Sequence, residues 1–110
     1  MEAQVVLAMA LVDAGAPQLA REQLEMKLKQ HPHHRGLRYT QAYVLMLVGD
    51  DSAAVQACRE YLQYWPDQGV ATWLTGAAIQ AGQQQSARDA LNTLLHETGN
   101  QAYASLIEQL

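Results

Sequence analysis

Three stretches of this chain can be laid over one another. Between Arg35 and Gln68 stand Ala42-x-x-Leu45, Gly49-Asp50, Ala54-x-x-x-Cys58 and Trp65-Pro66. One shift back, the same slots hold Ala8-x-x-Leu11, Gly15-Ala16, Ala20-x-x-x-Leu24 and His31-Pro32. One shift forward, Gly82-Gln83 and Ala87-x-x-x-Leu91 fall into place. The shift is 34 residues in the first case and 33 in the second, as the positions of Gly15, Gly49 and Gly82 show. Self-similarity at such a period marks stacked supersecondary units, each too small to bury its own apolar face. A single sheet or closed bundle would carry no such period.

Composition bounds the rest. With 110 residues, the chain is one small domain or a piece of a larger protein. Apolar residues make up 49%, enough for a core, and Phe is absent. A chain dominated by Ala and Leu suits closely packed helices better than a sheet. Asp+Glu 11 against Lys+Arg 7 gives a net charge of −4, and the charges read as dispersed. Neither a nucleic-acid surface nor an acidic tail is expected from that balance. Cys58 is the only cysteine, so no disulfide can form within the chain. The apolar run Val5 to Val12 follows Glu2 rather than a basic residue and stops at Asp13. It reads as a core helix, not a signal peptide, and a cytoplasmic location is expected. No run approaches the roughly 20 apolar residues of a membrane span.

Helix signals alternate with short breaks. Leu7, Leu11 and Ala14 recur at helical spacing, Gly15 stops that helix, and Pro17 sits where a first-turn proline opens the next. From there to Gln30, Leu19, Ala20, Leu24 and Leu28 are set against Arg21, Glu22, Glu25, Lys27 and Lys29. The spacing predicts further helices over Leu37 to Val48, from Asp50-Asp51-Ser52 to Tyr64, over Val70 to Ala81 and over Gln84 to His96. A last helix, about Gln101 to Gln109, has no partner in this scheme. Seven helices joined by two to four residues must run antiparallel to their neighbours, and no strand signal is present.

These slots resemble the tetratricopeptide repeat, a helix-turn-helix unit whose pattern includes Trp-x-x-Leu-Gly-x-x-Tyr, then Ala-x-x-x-Phe, then Pro. The resemblance runs over nearly the whole chain. It implies an all-α, right-handed solenoid forming a single domain over 1–110. The repeats would be 1–34, 35–67 and 68–101, with a C-terminal helix over 102–110. It assigns Ala8, Ala42 and Thr75 to the crossing within a unit, followed by Leu11, Leu45 and Ala78. Gly15, Gly49 and Gly82 take the inter-helix turn, and Ala20, Ala54 and Ala87 the next crossing. Leu24, Cys58 and Leu91 would follow as core residues, and Pro32, Pro66 and Gly99 would close each unit. The chain departs from the pattern at its Trp position, where Gln4, Arg38 and Ala71 stand.

In the resembled family the first helix of each pair lines a concave groove that takes a peptide or helix. The lining slots here would be Val5, Met9 and Val12, with Asp13 beside them; Tyr39, Tyr43 and Met46; and Thr72, Gly76 and Ile79. Met adapts its shape and Tyr adds a hydroxyl to apolar area, so an apolar or amphipathic protein segment is the expected partner. The family's use in gripping acidic chaperone tails relies on Lys, Arg and Asn at these slots, and none stands there. Some stripe residues would instead be covered by the last helix or by a second copy, since no polar helix precedes Val5-Val6-Leu7. A homodimer or a fragment of a longer array is therefore the rival reading, and small secretion or envelope-assembly chaperones are a family-level analogy.

Other candidates carry less. His31, His33 and His34 lie in a connection without Cys or acidic partners, so a solvated loop is favoured over a metal site. Cys58 occupies a core slot, where a thiol is usually inert packing. Glu22, Glu25, Asp50 and Asp51 read as exposed or capping acids rather than a catalytic pair. Trp65 and Trp73 are expected to pack where the second unit meets the third. No phosphate loop, zinc spacing or nucleophile motif is present, so no enzyme activity and no cofactor are expected.

Overall fold

The computed structural model describes the backbone from Glu2 to Leu110 and side chains from Val5 onward. Met1 of the first repeat and the side chain of Gln4 lie outside the described residues. Seven α-helices and no strand occur among the described residues. They are α1 (Glu2–Asp13), α2 (Pro17–Gln30), α3 (Arg35–Val48), α4 (Asp51–Tyr64), α5 (Gln68–Ala81), α6 (Gln84–Thr98) and α7 (Gln101–Glu108).

Two helices begin earlier than apolar spacing alone indicates, and the reason is capping. His34 precedes α3, and its Nδ1 accepts from Leu37 N–H at 3.1 Å. Asp67 precedes α5, and its Oδ1 accepts from Val70 N–H at 3.0 Å. Each bond satisfies a first-turn donor that would otherwise be orphaned, so each helix starts two residues earlier. Asn100 does the same for α7 through Ala102 N–H at 3.0 Å. His34, Asp67 and Asn100 thus form a recurring slot, each three residues before buried Leu37, Val70 or Tyr103. At the other end, α6 runs past His96 to Thr98, where Gly99 in the left-handed region ends it.

The first helix of every pair also ends alike. Ala16, Asp50 and Gln83 N–H donate to Leu11, Leu45 and Ala78 carbonyls at 2.8, 3.2 and 2.8 Å. This six-residue closure needs a left-handed residue just before the donor. Gly49 and Gly82 supply it at φ 76° and 68°, a conformation that costs any Cβ-bearing residue.

The helices fall into two compact units, Met1–Asp50 and Asp51–Leu110. In the first, α1, α2 and α3 pack mutually. Ala8 and Ala20 are fully buried with Leu24, Leu28, Leu37 and Val44, flanked by Val5, Leu11, Val12 and Val48. Arg21 Nη2 reaches Asp50 Oδ2 at 2.9 Å, tying α2 to the end of α3. Both are partly exposed, so this contributes about 1 kcal/mol at most.

In the second unit, α4 packs on α5 and α6, and α7 packs on both α5 and α6. The expected lack of a partner for the last helix is thus corrected. Tyr103 and Leu106, alternate-turn apolar residues of α7, are buried, which the short helix could not achieve alone. Gln83 Nε2 donates to Ser52 Oγ at 2.9 Å, joining the start of α6 to that of α4. The small crossing residues Ala54, Thr75 and Ala87 are buried, as are the core residues Cys58 and Leu91. The hydroxyls of buried Thr75 and Thr40 donate to the carbonyls of Ala71 and Gly36, so neither is left unsatisfied.

Candidate functional site

The ten lining slots divide between the two units. In the first, Val5, Met9 and Val12 share one face of α1, and Tyr39, Tyr43 and Met46 share one face of α3, each set spaced by about two turns. Val5 and Val12 pack against the unit's own core, so they support the face more than they present it. Met9, Tyr43 and Met46 are half-buried, whereas Tyr39 is 41% exposed. Asp13 is exposed at the end of α1.

In the second unit, Thr72, Gly76 and Ile79 share a face of α5 and are all exposed, Ile79 to 42%. Thr72 Oγ1 donates to the Gln68 carbonyl at 2.9 Å. A Cβ added at Gly76 would meet nothing within 4 Å, so this glycine is not demanded by packing. The α5 face is therefore low and sparsely covered. The α1 and α3 faces carry larger, adaptable side chains.

Elsewhere the second unit has a hollow of about 280 Å³ between α4 and α6, lined by Arg59, Leu62, Asp89, Leu94 and neighbours. Arg59 Nη1 donates to Ser86 Oγ at 2.9 Å, while its buried Nε has no partner. Tyr103 faces another hollow with Asp67. Burial, and secondarily the Asp67 charge, raise its phenol above the ordinary value, so it is a hydroxyl and not a phenolate. Burial pushes the Cys58 thiol from 9.0 to about 12, because a thiolate there would lose its water. It is core packing, as its slot indicated, and not a nucleophile at neutral pH.

Trp65 packs at the end of α4 in tilted contacts, with ring centroids 5.1 Å from Tyr61 and 5.6 Å from Tyr64. Trp73 is half-buried on α5. Trp65 therefore has a packing role at the α4–α5 connection. The histidine loop is partly structural: His31 and His33 are exposed, but His34 is a helix cap. Among the described residues, no three His, Cys, Asp or Glu side chains converge as metal ligands. The capping slot escaped sequence reading because histidine is an unusual cap. Its constant distance from Leu37, Val70 and Tyr103 was the available signal.

No protein-family model matches the chain, and no curated protein does. Twelve chains of solved structures match. A mutant form of MamA is 21% identical over 94% of this chain, with a TM-score of 0.71. MamA MSR-1 is 22% identical over 96%, also at 0.71. MamA AMB-1 is 23% identical over 96%, at 0.70. MamA is a tetratricopeptide-repeat protein. The chain shares the all-helical repeat fold of these structures, in keeping with the tetratricopeptide-like slots of its sequence. At this level of identity the likeness is one of fold alone. The chain spans 62%, 64% and 66% of those three chains, less than two thirds of each. No helix among the described residues is long and apolar enough to cross a membrane.

Proposed function

We propose that this chain is a non-enzymatic tetratricopeptide interaction module, one domain over 1–110, that binds an apolar or amphipathic protein segment. The observation that carries the reading is the side-chain content of the first-helix faces. Met9, Tyr39, Tyr43 and Met46 leave apolar area partly open, with no Lys, Arg or Asn among them. An amphipathic helix laid on such a face gains about 25 cal/mol per Å² of apolar surface before ordering costs. In the second unit, Thr72, Gly76 and Ile79 are the corresponding exposed slots of α5. The reading places the protein in the cytoplasm.

The test is selection of helical peptides from a display library, followed by titration against the double variant Tyr43→Ala/Met46→Ala. Loss of both side chains should weaken binding by about 2 kcal/mol or more, roughly 30-fold, if they act as central contacts. Unchanged affinity in a folded variant removes this face from consideration.

A second reading, self-association, has its own observation. The helix α1 is apolar nearly all round and leaves Val6 66% and Leu7 49% exposed. A helix of that kind is normally covered. Light scattering over a hundredfold concentration range checks it: a mass that rises, and that Val6→Lys returns to monomer, is the expected outcome. A constant monomer mass removes the homodimer.

A further inference from the structure

We propose that the hollow between the first turns of α5 and α7 is a second recognition site, one that takes a carboxamide group of a bound protein segment. It lies wholly within the second unit, has a volume of about 480 Å³ and is walled by Asp67, Gln68, Gly69, Thr98, Asn100 and Tyr103. That volume is in the range of clefts that hold small ligands.

Tyr103 is the residue that points to a ligand. It is 2% exposed and lines the hollow, yet its hydroxyl is hydrogen-bonded to no described residue. A buried tyrosine O–H normally finds a partner, because an unpaired buried donor costs stability. The repeat does not ask for this hydroxyl. The same slot, three residues after each helix cap, holds Leu37 and Val70, both fully buried. An aliphatic side chain therefore serves the packing there, and Tyr103 adds a polar group that the fold leaves unused.

The neighbouring groups set the chemistry. Thr98 Oγ1 is occupied, donating to the Leu94 carbonyl at 2.7 Å and accepting from Asn100 N–H at 3.2 Å. Asp67 Oδ1 and Asn100 Oδ1 are occupied as helix caps, accepting from Val70 N–H and Ala102 N–H. What remains is Tyr103 O–H and the Asn100 amide nitrogen as donors, with Asp67 Oδ2 as acceptor. Burial and the Asp67 charge keep Tyr103 protonated, so it can donate. An anion would face the Asp67 carboxylate, and no Lys, Arg or His stands on the walls to offset it. A cation would face the positive ends of two helices, roughly half a charge each. A carboxamide meets neither obstacle. Its oxygen accepts from Tyr103 and Asn100 while its N–H donates to Asp67.

Such a group comes from an Asn or Gln side chain or from the main chain, and two probes separate these sources. They are the blocked tripeptides acetyl-Gly-Gln-Gly-amide and acetyl-Gly-Ala-Gly-amide, titrated into the full chain labelled with nitrogen-15. The amide signals of Gly69 and the Asn100 side chain should move. Weaker binding of the alanine peptide assigns the side chain, and equal binding assigns the main chain. Butyrate and butylammonium, which lack the amide, should bind more weakly than either. Tyr103→Phe should weaken binding about fivefold, with a melting temperature unchanged or raised, whereas a purely structural tyrosine would lower it. Asp67→Asn keeps a capping oxygen but turns the acceptor into a donor, and should cost about tenfold. Tyr43→Ala/Met46→Ala, in the first unit, should leave this binding unchanged, so failure of the first-helix faces and failure of this site are read separately. Still signals at Gly69 and Asn100, binding of either ion as tight as the glutamine peptide, or full affinity in Tyr103→Phe overturns the inference.

Discussion

Leu24→Ala is expected to cost about 2–5 kcal/mol of folding stability, a large share of the 5–15 kcal/mol typical of a small protein. Leu24 is 1% exposed and lies in the first unit's core with Ala8, Ala20, Leu28, Leu37 and Val44. Truncation removes its transfer free energy and leaves a cavity. The cavity cannot readily collapse, because Leu24 shares a close-packed core with fully buried Ala8 and Ala20, which have no side-chain length to fill it. Urea denaturation followed by circular dichroism should show a lower midpoint with an unchanged slope. Leu19→Ala in the same helix is the control: Leu19 is 45% exposed, and its loss should stay within about 0.5 kcal/mol. Equal losses at the two positions would contradict the packing of α2.

Cys58 in the folded protein should react with a thiol reagent at neutral pH about a thousandfold more slowly than an exposed cysteine. The thiolate is the reactive form, and burial moves the thiol from 9.0 to about 12. Three pH units correspond to about a thousandfold less thiolate, and restricted access slows the reaction further. The same shift has a stability consequence. Below about pH 9 both folded and unfolded chains keep the proton, and the contribution is fully present. Above it the unfolded chain releases the proton while the folded one retains it, so stability falls by about 1.4 kcal/mol per pH unit until about pH 12. Labelling with a chromogenic disulfide, with and without denaturant, checks the first point. Fast labelling of the native protein would show that Cys58 is not enclosed.

Much of the fold was legible because the repeat writes the same chemistry several times. Gly15, Gly49 and Gly82 mark turns that close with one hydrogen-bond pattern. Ala20, Ala54 and Ala87 mark crossings where any larger side chain would hold helices apart. Leu24, Cys58 and Leu91 fill the space that those crossings create. Capping was less legible. The role of His34 depends on its ring folding over Gly36, whose added Cβ would come within 3.1 Å of it, and composition does not show such a placement.

The lining slots were legible as periodic positions but not as surfaces. Val5 and Tyr39 occupy comparable faces of α1 and α3, yet one packs on the core and the other stays 41% exposed. Similarly, α7 looked unpartnered because eight residues give little periodic signal, although α5 and α6 bury two of its side chains.

By itself, then, the sequence determined helix type, helix order and turn positions, since these depend on local spacing, small residues and glycine's access to positive φ. Only the tertiary structure decided which apolar residues of a helix face remain open. Exposure is set by neighbouring helices, and a 3.6-residue period is blind to how those neighbours pack.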